Sequence, residues 1–282
     1  MRVIVDCDPG LDDAAAIAML AASKGVDLAL LSTTGGNAPV DRVTSNAAAI
    51  AAALRLAVPI ARGGDGIGRF ATDVWGSDGS LPLAPAHIEP ETSSLDAILA
   101  GAGAPFDVMA IAPLTNIARL VSQQATRARI GALVIMGGAV GRGNVKPHAE
   151  FNIWADPGAA AKAFDAGLPL TLVPLDVTRP FVCPSGLAER IGTATPAARL
   201  VATLLDHLGK PGHPATLHDA AAAGFLLWPE CFTTQRGRIA VDTGGDSEGR
   251  TTFMDDPGGP HRIVTAIDTG EFWDRFVDLL TR

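Results

Sequence analysis

Residues 3–13 run Val-Ile-Val-Asp-Cys-Asp-Pro-Gly-Leu-Asp-Asp, and the way acidic residues follow apolar ones there sets the frame for the rest of the chain. Val3, Ile4 and Val5 form a short β-branched run closed by a turn, which marks a buried strand. Pro9 and Gly10 turn the chain directly afterwards, and Asp12 stands where a helix begins that runs to about Ser23. One carboxylate at a helix start gains about 0.3–1 kcal/mol from the helix dipole. Four of them, Asp6, Asp8, Asp12 and Asp13, are not explained that way: at short range they repel one another and their pKa values rise unless a cation is present. A hard divalent cation with oxygen ligands removes the conflict, so the stretch is a candidate metal or catalytic site. Cys7 faces away from Asp6 and Asp8 by strand alternation and reads as a small buried apolar residue.

Working outward, short apolar runs at residues 28–32, 106–111, 133–136 and 170–174 read as further strands. Helical patterns lie between them at 40–56, at Leu114, Ile117, Ala118 and Leu120, and after Asp156-Pro157, an N-cap followed by proline at the first helical position. Strands alternating with helices imply βαβ units: a mostly parallel sheet with helices on both faces. The last third adds helices at 196–208 and 218–227, short strands at 238–241, 251–253 and 263–266, and an amphipathic helix at 271–280. No internal repeat or low-complexity linker divides the chain, so one domain over residues 1–282 is expected. Open parallel sheets bind ligands at the carboxyl ends of their strands, which directs attention to the exits after Val5, Ser32, Met109 and Met136. The Gly/Pro-rich stretches 62–90 and 137–147 are expected to be loops walling a site.

Composition narrows the function. The 282 residues carry 22 Lys+Arg against 30 Asp+Glu, a formal net charge of -8, which argues against a nucleic-acid partner because nothing offsets phosphate repulsion. Hydrophobic residues make up 48% and charged residues 18%, which excludes a disordered chain. No apolar run is long enough for a membrane span, and Asp6 and Asp8 end the N-terminal apolar run too early for a signal peptide. Three cysteines, Cys7, Cys183 and Cys231, are too few and scattered for a disulfide framework or a zinc site. A cytoplasmic enzyme is expected. An Asp-x-Asp at the end of a first strand also occurs in Mg²⁺-dependent phosphatases of the dehalogenase type, but Thr33, Thr34, Asp255 and Asp256 do not combine into their full set, and the Asp12-Asp13 pair has no role there.

Several motifs appear together and in order: DCDPGLDD at 6–13, GGN at 35–37, APLTNIA at 112–118, MGG at 136–138, AEFNIWADP at 149–157 and LHD at 217–219. In this combination the chain resembles the inosine–uridine preferring nucleoside hydrolases. The resemblance implies a single-domain, Rossmann-like α/β fold and calcium-dependent hydrolysis of the N-glycosidic bond of ribonucleosides in purine and pyrimidine salvage. Carried over residue by residue, it implies a Ca²⁺ held by Asp8, Asp13, Asp219 and the backbone carbonyl of Ile111. Asp8 would be the general base that activates a calcium-bound water. The ribose would be held by Asp12, Asn37, Asn144, Glu150 and Asn152, with Met136 beneath the sugar. His218 would protonate or hydrogen-bond the leaving base, a role suited to imidazole. Members of the family are usually homodimers or homotetramers.

The base side departs from the family pattern. Where many relatives have a histidine followed by glycine, this chain has Trp75-Gly76, and Trp75 is expected to stack on the base; His87 is a second candidate in the same loop. The chain contains no tyrosine, so the tyrosines that assist uridine-accepting relatives are missing; His207 and His213 lie in that region instead. GGDGIG at 63–68 and GGAVGRG at 137–143 lack the GK[ST] ending of a phosphate loop and read as flexible loops. A non-catalytic nucleoside- or ribose-binding protein is the remaining alternative, and the full carboxylate set speaks against it.

Overall fold

The computed structural model describes residues 1–71, 79–86, 104–208 and 215–282. Strands β1 (Arg2–Cys7), β2 (Asp27–Thr33), β3 (Ile60–Arg62), β4 (Phe106–Ala110), β5 (Ile130–Met136), β6 (Leu170–Val173), β7 (Phe232–Val241), β8 (Thr251–Asp255) and β9 (His261–Ile267) form one sheet in the order β3-β2-β1-β4-β5-β6-β9-β7-β8. Pairing is parallel from β3 across to β9. β7 runs antiparallel to both of its neighbours. The expected α/β architecture with a mostly parallel sheet is present. Two strands differ from expectation. β3 falls between the helix expected at 40–56 and the loop expected from 62, where no strand was expected, and β7 begins at Phe232, well before residue 238, because its first half is mostly Thr, Gln and Arg and is carried by backbone pairing with β9.

The main helices are α1 (Leu11–Ala22), α2 (Val40–Leu54), α3 (Thr115–Ser122), α4 (Phe151–Ala155), α5 (Pro157–Phe164), α6 (Pro196–Leu208), α7 (His218–Leu227) and α8 (Thr269–Thr281). α1, α2, α6, α7 and α8 cover one face of the sheet over Val3, Val5, Cys7 and Met109; α3 and α5 cover the other over Ile4, Val108 and Leu133. Residues 14–20 of α1 are all fully buried, since alanines let the helix be packed all round, against the sheet and against α6 and α7. Truncating Ile17 or Leu20 to alanine there is worth about 2–5 kcal/mol. Asp156 caps α5 through Ala159 N–H at 3.0 Å with Pro157 at the first position, as the sequence suggested. Among the described residues, no helix is long and apolar enough to cross a membrane.

Two features orient the functional elements. β1 lies between β2 and β4, where successive connections leave in opposite directions, so a cleft opens over its carboxyl end. α7 presses so closely on Phe272 of α8 that a side chain at Gly224 would collide with the ring, and the helix start, His218-Asp219, reaches the same cleft.

Candidate active site

The strand exits converge on a cavity of about 580 Å³. Asp8 and Asp12 reach it from the turn after β1, Asn37 from the exit of β2, Ile111 from β4 and Met136 from β5; Asn144, Glu150 and Asn152 come from the following loop and α4, His218 and Asp219 from α7. Asp13 is fully buried beside them. Of the site residues inferred from sequence, Trp75 lies outside the described residues, as do His87 and His213. His207 is exposed on α6, its Nδ1 2.8 Å from the Thr203 carbonyl, and does not line the cavity.

Backbone geometry fixes the acidic turn. The Asp13 carboxylate accepts the N–H groups of Asp8 at 3.1 Å and Gly10 at 2.9 Å, closing the loop between β1 and α1. Asn37 locks the next loop onto it, donating its backbone N–H to Asp8 Oδ2 at 2.7 Å and its side-chain amide to the Asp8 carbonyl at 2.9 Å. Gly36 permits this approach, since a Cβ there would strike the Asp8 carboxylate and Pro113. Oxygens of Asp12, Asp13 and Asp219 lie within 4.8 Å of one another. This triple includes Asp12, which the family pattern assigned to the sugar, and leaves Asp8 beside it. Asp8 is tied instead to Asn37, through Oδ2.

Burial, reinforced by mutual repulsion, pushes these carboxyls up: Asp8 and Asp219 well above the carboxylate range, Asp13 to about 8. Asp12 moves the same way by burial, opposed by His218. Buried, like-charged and all-oxygen, the group fits a hard metal ion, with the Ile111 carbonyl on the same wall. Asp6 separates from this group. It sits below, within the ladder, bonded to Asn116 Nδ2 at 2.9 Å and Thr34 Oγ1 at 3.3 Å, and burial raises it to about 6.

On the opposite side, Glu150 caps α4 by accepting the Asn152 and Ile153 N–H groups at 3.0 and 3.3 Å, and also Gly138 N–H at 2.8 Å. Burial still raises its pKa, against these three donors. The Asn152 amide spans the ends of β4 and β5, donating to the Ile111 carbonyl at 3.3 Å and the Met136 carbonyl at 3.2 Å. His218 places Nδ1 2.9 Å from Thr178 Oγ1, and burial lowers its pKa against the pull of Asp12.

The remaining lining is apolar except for Thr216: Phe70, Ala71, Val145, Phe151, Trp154 and Leu175. Sequence reasoning missed Phe70 and Trp154. Trp154 carried a readable signal, three residues after Phe151 on one helical face; Phe70, in a loop, carried none. Trp154 is held from outside by Arg69, whose Nη1 donates to the Trp154 carbonyl at 2.6 Å and whose guanidinium lies 4.4 Å from the indole centroid. Arg69 and Lys146 both pair with Glu248, at 3.0 and 3.4 Å.

A parallel sheet whose strand ends gather carboxylates, side-chain amides and a histidine around one cavity defines an α/β enzyme acting on a small polar ligand. The family model described as "Inosine-uridine preferring nucleoside hydrolase" matches residues 3–274, and the chain belongs to that family. It is 36% identical to a non-specific ribonucleoside hydrolase, RihC, of Klebsiella pneumoniae over 95% of this chain and 93% of that protein. It is 34% identical to the protein of the same name from Salmonella paratyphi A, over 96% and 95%. Among solved structures, it resembles a plant nucleoside hydrolase at a TM-score of 0.90 and 25% identity, covering 99% and 98% of the two chains. A purine-preferring ribonucleoside hydrolase from Gardnerella vaginalis superimposes at 0.88 and 25% identity, covering 100% and 98%. The chain is therefore a hydrolase of ribonucleoside N-glycosidic bonds, and the dehalogenase-type phosphatase is set aside.

Proposed function

We propose that the chain is a calcium-dependent ribonucleoside hydrolase in which Asp8 is the general base and His218 assists the departing base. The observation that carries this reading is the meeting of the acidic turn, the Ile111 carbonyl and His218 around a single cavity. Asp8, Asp13, Asp219 and the Ile111 carbonyl would hold the ion, whose oxygen-only preference matches them; Asp12 stands close enough to join them. When bound, the ion supplies an acidified, oriented water.

The chain's own residues do the rest. Asn37 anchors Asp8 through one oxygen, and the other takes the proton as water attacks the anomeric carbon. Positive charge then builds on the sugar ring, as in other glycosidic cleavages, and the surrounding carboxylates stabilise it. Asp12, Asn37, Asn144, Glu150 and Asn152 hold the ribose hydroxyls, with Met136 beneath the ring. His218 completes the reaction by giving the leaving base a proton or hydrogen bond. The names of the RihC relatives support action on more than one base.

Ribose release from inosine, adenosine, guanosine, uridine and cytidine, with calcium and with excess chelator, tests this. Release that the chelator suppresses and Ca²⁺ restores is expected. Release that persists in chelator removes the metal from the reading. No release from any of the five, with calcium bound, turns the reading towards a binding protein.

A further inference from the structure

We infer that the short helical turn Leu175–Thr178, with Arg179 directly after it, braces the two ends of the cavity separately: Thr178 positions His218, while Asp176 and Arg179 position the loop that carries Asn144. The inference rests on the leaving-group role proposed above for His218.

The turn follows β6 and is seated firmly. Leu175 lines the cavity and donates its N–H to the Gly138 carbonyl at 2.8 Å, while Thr178 is fully buried and its N–H meets the Pro174 carbonyl at 3.2 Å. The Thr178 hydroxyl lies 2.9 Å from His218 Nδ1. An imidazole held at one nitrogen presents the other, and His218 lines the cavity. A β-branched side chain in a helical turn has few χ1 choices, so the hydroxyl is a stiff support. His218 is the first residue of α7, where no preceding helical turn restrains its ring.

The exposed side of the same turn works on different partners. Asp176 accepts the N–H groups of Val140 and Gly141 at 2.9 and 2.8 Å. Arg179, three residues on and therefore on the same helical side, donates from Nη2 to the carbonyls of Arg142 at 2.9 Å and Gly143 at 3.0 Å. The four bonds fall on residues 140–143, immediately before Asn144. A glycine-rich segment that would otherwise sample many backbone states is thus fixed from outside the cavity. One turn supports the leaving-group end through a buried hydroxyl and the sugar end through an exposed ion-and-amide clasp.

The two supports separate kinetically. Full-length wild type and the variants His218→Ala, Thr178→Val, Thr178→Ser and Asp176→Asn are assayed on inosine and on 4-nitrophenyl riboside, whose leaving group departs without a proton, with melting temperatures measured in parallel. His218→Ala is expected to lose at least tenfold more kcat on inosine than on the nitrophenyl substrate, within the range of general acid catalysis. Thr178→Val should show the same selective loss, about tenfold, as a misplaced catalytic ring does. Thr178→Ser should restore it. Asp176→Asn should raise KM several-fold on both substrates and leave their kcat ratio unchanged. Equal losses of Thr178→Val on both substrates, with His218→Ala still selective, overturn the role of Thr178. An unchanged KM in Asp176→Asn overturns the loop clasp. A His218→Ala variant with no selectivity removes the leaving-group reading itself and the Thr178 role with it. Should Thr178→Val not fold, Thr178→Ala against Thr178→Ser carries the same comparison.

Discussion

The two walls of the cavity are held by different physics. The acidic wall is backbone work: Asp13 ties Asp8 and Gly10, Asn37 ties Asp8, and Asn152 ties the ends of β4 and β5. Asp13 and Asn152 are buried on helices, and Asn37, half-buried, stands in the loop that leaves β2. Trp154, on the apolar wall, is instead pinned by Arg69, Lys146 and Glu248, part-exposed side chains from three separate loops. Reacting groups therefore stand on a scaffold that cannot shift without breaking the sheet, while the surface that shapes the remainder of the ligand can be exchanged at little cost.

That contrast is open to attack from its strongest point downward. Asp8→Ala should lower kcat on a nucleoside by about 10³-fold, roughly 4 kcal/mol, while the chain still folds. Wild-type turnover in that variant would end the general-base assignment. Calcium at a hundred times its dissociation constant should add about 2.7 kcal/mol to the unfolding free energy relative to chelator, because the unfolded chain has no assembled site. Superimposable melts with calcium and with chelator would mean that the acidic wall holds no ion of this kind.

A control far from both walls calibrates these stability measurements. His261 accepts Ile239 N–H at Nδ1 (2.9 Å) and meets the Phe164 carbonyl at Nε2 (3.0 Å), so it is held neutral, and burial lowers its pKa. A folded pKa below the unfolded value means that the unfolded chain takes up the proton first. The contribution of His261 is complete above about pH 6.5 and declines as the pH falls through its folded pKa. His261→Asn should cost about 1–2 kcal/mol at pH 7.5. The gap to wild type should narrow at pH 5.5; a gap that widens refutes the assignment. Smallest of all, Arg69→Gln should cost about 0.5–1 kcal/mol and leave kcat on an activated riboside unaltered, as expected for a part-exposed pair. A kcat loss comparable to that of Asp8→Ala would erase the distinction between the walls.

Much of the acidic turn was legible in the sequence because its signal is local, repeated aspartates around a Pro-Gly turn, whereas Glu150 and Asn152, across the cavity, were legible only through the AEFNIWADP motif. Position along the strand was harder to read. Asp6 and Asp8 share a side by alternation, yet Asp6 still pairs within the ladder, opposite Ser32 and Ala110, whereas Asp8 lies past its end and meets the cavity. Nothing in a period of two distinguishes the last rung from the space beyond it. The apolar wall was hidden for the complementary reason. Arg69, Trp154 and Glu248 lie far apart in sequence, and their pairing depends on where two loops meet the short helix α4. The early start of β7 was invisible because its first residues carry no apolar alternation.

The chain order of the carboxylates carries a consequence for how the molecule is made. Asp8, Asp12 and Asp13 lie at the junction of β1 and α1, and Asp219 arrives with α7, after six strands of the sheet have been laid down. Loop closure between such distant segments is slow and comes late. Under the calcium reading proposed above, a nascent chain lacking α7 would present the acidic turn without Asp219, so tight cation binding is expected only after α7 has docked, while β7, β8, β9 and α8 are still to come.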